Sequence, residues 1–116
     1  MKDFNGSIQY KDKEYKLVFN LNVMEAIQNE YETIDKWGAL TDGTDNGEPN
    51  AKAVIFGFRE MINEGIDIEN EENGTNNPLL NLKQVGRIIT EVGLSHATSV
   101  MNKTVVESSK SNEKNE

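Results

Sequence analysis

The chain of 116 residues contains no cysteine and only one histidine. Without cysteine there is no disulfide, no thiolate metal site and no thiol nucleophile. A zinc site needs several ligands held together, and a catalytic triad needs a nucleophile and an orienting acid beside the histidine. The sequence around His96 supplies neither set, and no Walker loop, GxGxxG or GxSxG pattern occurs. We therefore expect a protein that is not an enzyme and that needs no cofactor.

Basic residues are also scarce, because 12 lysines and arginines stand against 20 acidic residues, for a net charge of −8. The field of such a chain repels phosphate backbones and anionic lipid, so neither nucleic acid nor a membrane surface is an expected partner. No apolar run approaches the roughly 18 residues of a membrane-spanning helix. The first residues, MKDFNGSIQY, contain no apolar run of signal length, which predicts a cytosolic protein.

An alternating pattern changes to a helical one in the first third of the chain. Apolar residues alternate on both sides of the charged stretch KDKE at 11–14, which predicts a β-hairpin. From Asn22 to Trp37 the apolar spacing becomes three and four residues, which predicts a helix. Asn22 is the expected N-cap with Glu25 at the capping-box position, and Gly38 is the expected left-handed C-cap.

A second helix is expected to begin with Pro49 in its first turn and to end at Gly65. Gly57 lies in its middle at a cost of about 1 kcal/mol relative to alanine, which indicates that another element packs closely there. The preceding residues 41–49 have the composition of a turn. The acidic stretch 66–78 shows no periodicity and is predicted to be a mobile linker. The apolar stripe of this helix consists of Val54, Ile55, Phe58, Met61 and Ile62.

Two further helices are predicted before the polar end of the chain. Asn81 and Gln84 have the spacing of a capping box, and Gly93 is the expected C-cap of the third helix. Ser95 is the expected N-cap of the fourth. The stretch after Val106 has no apolar residue and is predicted to be disordered.

The whole pattern predicts an α+β protein, mostly α, with an N-terminal β-hairpin packed on a small bundle of three to four helices. Residues 1–106 would form a single domain and residues 107–116 a disordered polar tail. One modest core suits a chain of this length.

A turn in the middle of the chain partly resembles a calcium-binding loop. Asp42, Thr44, Asn46 and Gly47 match the first, third, fifth and sixth positions of an EF-hand loop. The position that must supply a bidentate glutamate is Ala53. A calcium site is therefore expected to be weak or absent.

The apolar stripe of the fourth helix has two interpretations that the sequence leaves open. The stripe either packs against the other helices or remains exposed and binds a partner helix. In the second case Val100, Met101 and Val105 are the expected contact residues. Charged replacements there would abolish partner binding without loss of the fold.

The order of these features resembles that of the tail assembly chaperones of long-tailed bacteriophages and related prophages. The resemblance covers about residues 8 to 108 and rests on three segments: KLVFNLNVMEAIQNEYETIDKW, AKAVIFGFREMINEG and LLNLKQVGRIITEVGLSHATSVMNKTVVESS. The matching positions are Phe19, Asn22, Met24, Ile27 and Tyr31 in the first segment and Leu82, Val85, Ile88, Ile89, Gly93 and Leu94 in the last.

The resemblance implies a non-enzymatic protein that binds the tape measure protein and helps to recruit tail tube subunits during tail assembly. It implies action in the host cytoplasm, absence from the mature virion and, in many relatives, a longer frameshifted form. Whether the chain associates with itself is left open. Two alternatives remain: a small acidic inhibitor or antitoxin-like protein that binds a basic surface, and a structural tail component. The first would need carboxylates along one face of an ordered element, whereas the densest acidic runs fall in predicted loops.

Overall fold

The computed structural model describes residues 6–44 and 47–114. Two strands and five helices occur in this part of the chain: β1 (Gly6–Tyr10), β2 (Lys13–Leu17), α1 (Leu21–Tyr31), α2 (Ile34–Asp42), α3 (Ala51–Asn73), α4 (Leu82–Val92) and α5 (Leu94–Lys114). The strands form one antiparallel hairpin, and the rest is predominantly helical. The predicted α+β, mostly α class is confirmed.

The hairpin is tighter than its charged loop suggests. Ile8 pairs with Tyr15, and β2 already begins at Lys13, so only residues 11–12 form the turn. Ile8 and Leu17 are fully buried. An isolated two-stranded hairpin has marginal stability, and here α3 packs against β2 while α4 and α5 pack against β1.

The N-cap of the first helix lies two positions earlier than predicted, at Asn20 and not at Asn22. The Asn20 side chain accepts a hydrogen bond from the Val23 backbone N–H at 3.2 Å. Asn22 lies in the first turn, and its amide donates to the Glu64 carboxylate at 3.1 Å, as does the Asn20 amide at 2.8 Å. Either asparagine can cap a helix, and a tertiary contact with α3 accompanies the observed choice.

The predicted helix from 22 to 37 is two helices. The backbone turns at Glu32, whose φ is 76°, and Thr33 then caps α2 by accepting from the Lys36 N–H at 3.0 Å. Gly38 lies inside α2 and does not end a helix. The left-handed C-cap is Gly43, with φ 83°.

The third helix is longer than predicted and includes the stretch expected to be a linker. Its N-cap is Asn50, which accepts from the Ala53 N–H at 3.0 Å, so Pro49 precedes the helix. The helix continues through Gly65 and ends only at Gly74. The residues from 66 to 73 are therefore helical.

The capping predictions for α4 are confirmed. Asn81 and Gln84 form the reciprocal capping box with both hydrogen bonds at 2.8 Å. Gly93 caps the other end and donates its N–H to the Ile89 carbonyl at 2.9 Å.

The last helix starts and ends differently from the prediction. The Ala97 N–H donates to the Gly93 carbonyl at 2.9 Å, so Ser95 lies inside the first turn and is not the N-cap. The helix continues through Lys114, where the sequence predicts a disordered tail. The Ser108 hydroxyl donates to the Phe19 carbonyl at 2.9 Å and fastens this extension to the body.

The core takes residues from the hairpin and from every helix. Its buried apolar members are Ile8, Leu17, Phe19, Val23, Ile27, Trp37, Ala53, Val54, Phe58, Met61, Ile62, Val85, Ile88, Ile89, Ala97 and Met101. In the part of the chain that the structure describes, no helix combines the length and the apolar character that a membrane crossing requires.

Candidate functional site

The structure places the predicted partner-binding stripe of α5 against the body of the protein. Met101 is fully buried in the core. Val100 and Val105 are half-buried and pack against that core. The three side chains do not form an open surface, so a partner would reach Met101 only after α5 had moved away.

Within the described residues, neither the calcium-like turn nor the histidine is part of a group of possible metal ligands. No group of three or more histidine or carboxylate residues that could hold a metal occurs among residues 6–44 and 47–114. The Asp42 carboxylate accepts from the Thr44 N–H at 2.9 Å, and this bond, with help from the Thr44 hydroxyl, lowers the pKa of Asp42. Asn46 lies outside the described residues, and His96 is exposed. The described part of this turn is held by local hydrogen bonds.

A groove lies between the first half of α3 and α4, and we call it the α3–α4 groove. It consists of two adjoining hollows of about 620 and 390 Å³ that share Ile55, Gly86 and Thr90. The remaining lining residues are Tyr10, Lys83, Arg87 and Glu91 in the larger hollow and Ala51, Val54, Ile89 and Leu94 in the smaller one. The smaller hollow is mainly apolar, whereas charged side chains line the larger one.

Gly86 keeps the floor of the groove open. A Cβ atom at this position would meet only the Ile55 Cδ1, at an ordinary contact distance of 3.6 Å. Glycine inside a helix costs about 1 kcal/mol relative to alanine. Because no neighbouring group within the described chain requires a glycine here, its effect is to leave space between α3 and α4.

The rim of the groove is locally positive on an acidic protein. Lys83 and Arg87 lie on successive turns of α4, and both are exposed. Neither takes part in an ion pair within the described residues. Glu91 follows one turn later, and the Lys11 ammonium lies 5.3 Å from the centre of the Tyr10 ring. The rim therefore has more positive than negative groups, although the chain carries a charge of −8.

A second charged surface lies on the C-terminal half of α3. Glu64, Asp67 and Glu71 are spaced by three and four residues, so they share one face of the helix. Glu64 is already bonded to the two asparagines of α1, whereas Asp67 and Glu71 are exposed. Most of this acidic stretch was predicted to be a mobile linker, so an ordered acidic face was not expected from the sequence.

The fold and the groove define a small, mostly helical α+β protein with a surface suited to binding. In comparisons with known proteins, the chain matches no family model, no curated protein and no solved structure. The groove residues Lys83, Gly86 and Arg87 are not among the residues predicted from the sequence. The available signal was a glycine in mid-helix flanked by two cations on successive turns.

Proposed function

We propose that this protein is a non-enzymatic phage tail assembly chaperone that binds the tape measure protein and helps to recruit tail tube subunits during tail assembly. The resemblance in the order of strands and helices supports this proposal. The observation that carries it is the α3–α4 groove, since an open apolar groove is a common site for an amphipathic helix. The corresponding place of action is the host cytoplasm, before the tail is complete.

The proposed mechanism is reversible shielding. A long helical tape measure chain exposes apolar stripes until the tube encloses it, and a groove that covers a short stretch of stripe would prevent those stripes from associating. The helix α4 has 11 residues and is about 16 Å long, so the groove covers only about three turns of a partner helix. Such a small contact suits transient binding. The net charge of −8 would keep the complexes apart through mutual repulsion.

Co-expression tests the proposal. The proposal expects a long helical tape measure protein to be encoded beside this chain. That protein is produced alone and together with the chain, and the soluble fraction is measured. The proposal expects soluble tape measure protein that co-purifies with the chain only in the second case. Precipitation of the tape measure protein in both cases would refute it.

The composition of finished particles separates a chaperone from a structural tail component. Mass spectrometry of purified virions is expected to detect tail tube protein and no stoichiometric amount of this chain. Its retention at a fixed ratio to tail tube protein would support a structural tail component instead.

The ordered acidic face of α3 favours a second candidate function, binding to a basic partner surface as a small acidic inhibitor or antitoxin-like protein does. Asp67 and Glu71 would contact the partner. Replacing both with lysine would then abolish binding, whereas under the chaperone proposal the same variant still solubilises the tape measure protein.

A further inference from the structure

We infer that the α3–α4 groove binds one face of a partner helix whose apolar stripe is flanked by carboxylates. This inference rests on the proposed function, because it specifies which kind of tape measure segment the chain would bind. Three observations support it: the apolar floor, the exposed leucines that begin α4 and α5, and the charges on the rim.

The apolar floor matches the spacing of a helical stripe. Ile55 and Ile89 form the floor together with the open position at Gly86. Leu82 lies one turn before Gly86 on the same face of α4 and is 49% exposed, and Leu94, the first residue of α5, lines the smaller hollow and is 44% exposed. The helix α4 itself has 11 residues, a length of about 16 Å. Apolar side chains on about three successive turns of a partner helix would span this length.

The charges on the rim favour a partner helix with carboxylates beside its apolar stripe. The Lys83 ammonium and the Arg87 guanidinium project beside the larger hollow and have no ion-pair partner within the described residues. The planar guanidinium can hold a carboxylate through two parallel hydrogen bonds. Glu91 lies on the same face of α4, one turn after Arg87. Carboxylates on the partner should therefore lie near Lys83 and Arg87.

A second copy of this chain is a less suitable occupant. Its acidic helix is α3, and the apolar stripe of α3 is already buried in the core, as shown by Phe58, Met61 and Ile62. An inserted α3 would present carboxylates but no free stripe. The occupant with both features is a helix from another protein.

Two synthetic helical peptides test the charge selection. Both carry leucine at positions i, i+3, i+4 and i+7, and their flanking residues are glutamate in one peptide and lysine in the other. Fluorescence anisotropy at low salt should show that the wild-type chain binds the glutamate peptide roughly fivefold to tenfold more tightly, as expected for two partly exposed charge pairs. Equal affinities, or preference for the lysine peptide, would overturn the inference.

Reversing the charges on the groove should reverse the preference between the two peptides. The double variant Lys83→Glu with Arg87→Glu is expected to bind the lysine peptide more tightly than the glutamate peptide. The matched control is Lys13→Glu with Lys103→Glu, which changes the net charge equally at two exposed positions. The control should keep the preference of the wild type. If both double variants changed affinity alike, net charge would be the cause and the inference would fail.

Filling the groove tests its apolar part. Gly86→Leu should weaken binding of the glutamate peptide at least about tenfold, because the new side chain occupies the space that the partner stripe needs. Gly38→Leu is the matched control, since it also lies inside a helix and nothing lies within 4 Å of an added Cβ. Thermal melts establish that the variants fold. If Gly86→Leu does not fold, the charge-reversed variant gives the test alone.

The same variants separate this inference from the proposed function. If the tape measure protein co-purifies equally with wild type and Gly86→Leu, the proposed function stands and the groove inference is overturned. If the glutamate peptide binds the groove but the tape measure protein does not, the recognition chemistry stands and the proposed function fails. If the wild type is a dimer and Gly86→Leu a monomer, the groove binds a second copy and the inference is overturned.

Discussion

The indole ring of Trp37 occupies the space that a side chain at position 57 would need. A Cβ atom on Gly57 would lie 2.8 Å from Trp37 Cε2 and 2.9 Å from Nε1, and closer still to Cζ2. The indole N–H also donates to the Ala53 carbonyl at 3.0 Å, which fixes the ring one turn before Gly57. The close approach predicted for Gly57 is thus confirmed, and Trp37 is the group that makes it.

Gly57→Ala should destabilise the protein although alanine is the better helix former. Overpacking costs about 1–3 kcal/mol and outweighs the propensity gain of about 1 kcal/mol. Urea denaturation measures the difference. Gly86→Ala is the control, because its Cβ fits at 3.6 Å and the same propensity gain should stabilise the protein by about 0.5–1 kcal/mol. Stabilisation by both variants would show that Trp37 moves freely.

Gly65→Ala should be more damaging than Gly57→Ala. A Cβ at position 65 would lie 2.6 Å from the Lys16 carbonyl oxygen, and this strand is held in place by the hydrogen bond from the Val18 N–H to the Met61 carbonyl at 3.2 Å. A backbone that is held by hydrogen bonds cannot shift to make room for the new Cβ, whereas the end of a flexible side chain can. We expect a loss of more than about 2 kcal/mol in urea denaturation. A loss smaller than that of Gly57→Ala would contradict this reasoning.

Thr104→Val should cost about 1–2 kcal/mol, because it removes a buried hydroxyl with two partners. That hydroxyl accepts from the Gly6 N–H at 3.1 Å and donates to the Val100 carbonyl at 2.8 Å. Amide hydrogen exchange at Gly6 should accelerate in the variant. Thr98→Val is the matched control on an exposed turn of the same helix and should change stability by less than about 0.5 kcal/mol.

The stability of the protein should fall at high pH through Tyr31. Burial, with a smaller contribution from Glu30, raises the pKa of Tyr31 above its ordinary value of 10.0. The fold therefore favours the neutral phenol. This contribution is complete below the unfolded pKa and is lost as the pH rises through the folded one.

The comparison with Tyr31→Phe isolates this effect from other groups that titrate at high pH. The Tyr31 hydroxyl has no hydrogen-bond partner among the described residues, so the two proteins should have similar stability near neutral pH. Above about pH 10 the urea midpoint of the wild type should fall faster than that of the variant. Parallel curves would contradict the prediction.

Met101→Lys should unfold the protein or lower its stability by at least about 3 kcal/mol, because a charge would replace a fully buried side chain. Val105→Lys should cost less, since Val105 is half-buried. Circular-dichroism melts measure both. A native-like melt for Met101→Lys would show that α5 detaches easily, and it would restore the α5 stripe as a partner-binding surface.

Features encoded by nearby residues were predictable from the sequence. The capping box of Asn81 and Gln84 needs only residues three positions apart, and Gly93 ends α4 through a bond to Ile89. The hairpin was likewise recognisable from its alternating apolar residues. In each case the hydrogen-bond partner or the pattern lies within a few positions along the chain.

Features that depend on distant contacts were not predictable in the same way. Gly65 resembles a helix stop, but it is a crossing point where β2 passes over α3. Asn20 and Asn22 are equally good caps by local chemistry, and both are also held by Glu64. No proline or glycine near Glu32 marks the break between α1 and α2 in the sequence. These choices depend on packing that becomes visible only in three dimensions.

The candidate site shows the same division. The stripe of α5 was recognised correctly as apolar, but amphipathicity alone does not say what covers it, and here the body of the protein does. The groove exists because Gly86 has no side chain to fill the space between α3 and α4. The sequence alone does not show that these two helices lie side by side there. The charges of the groove on Lys83 and Arg87 were visible, whereas their position beside Tyr10 was not.

The bond between Gly6 and Thr104 joins positions 98 apart along the chain. The earliest strand that the structure describes therefore completes its packing only after the last helix has been synthesised. Until then β1 lacks the packing that α5 provides, and long-range closure of this kind slows folding. On the ribosome, β1 can therefore reach its final packing only after α5 has emerged, and premature termination within α5 would expose the part of the core that α5 covers.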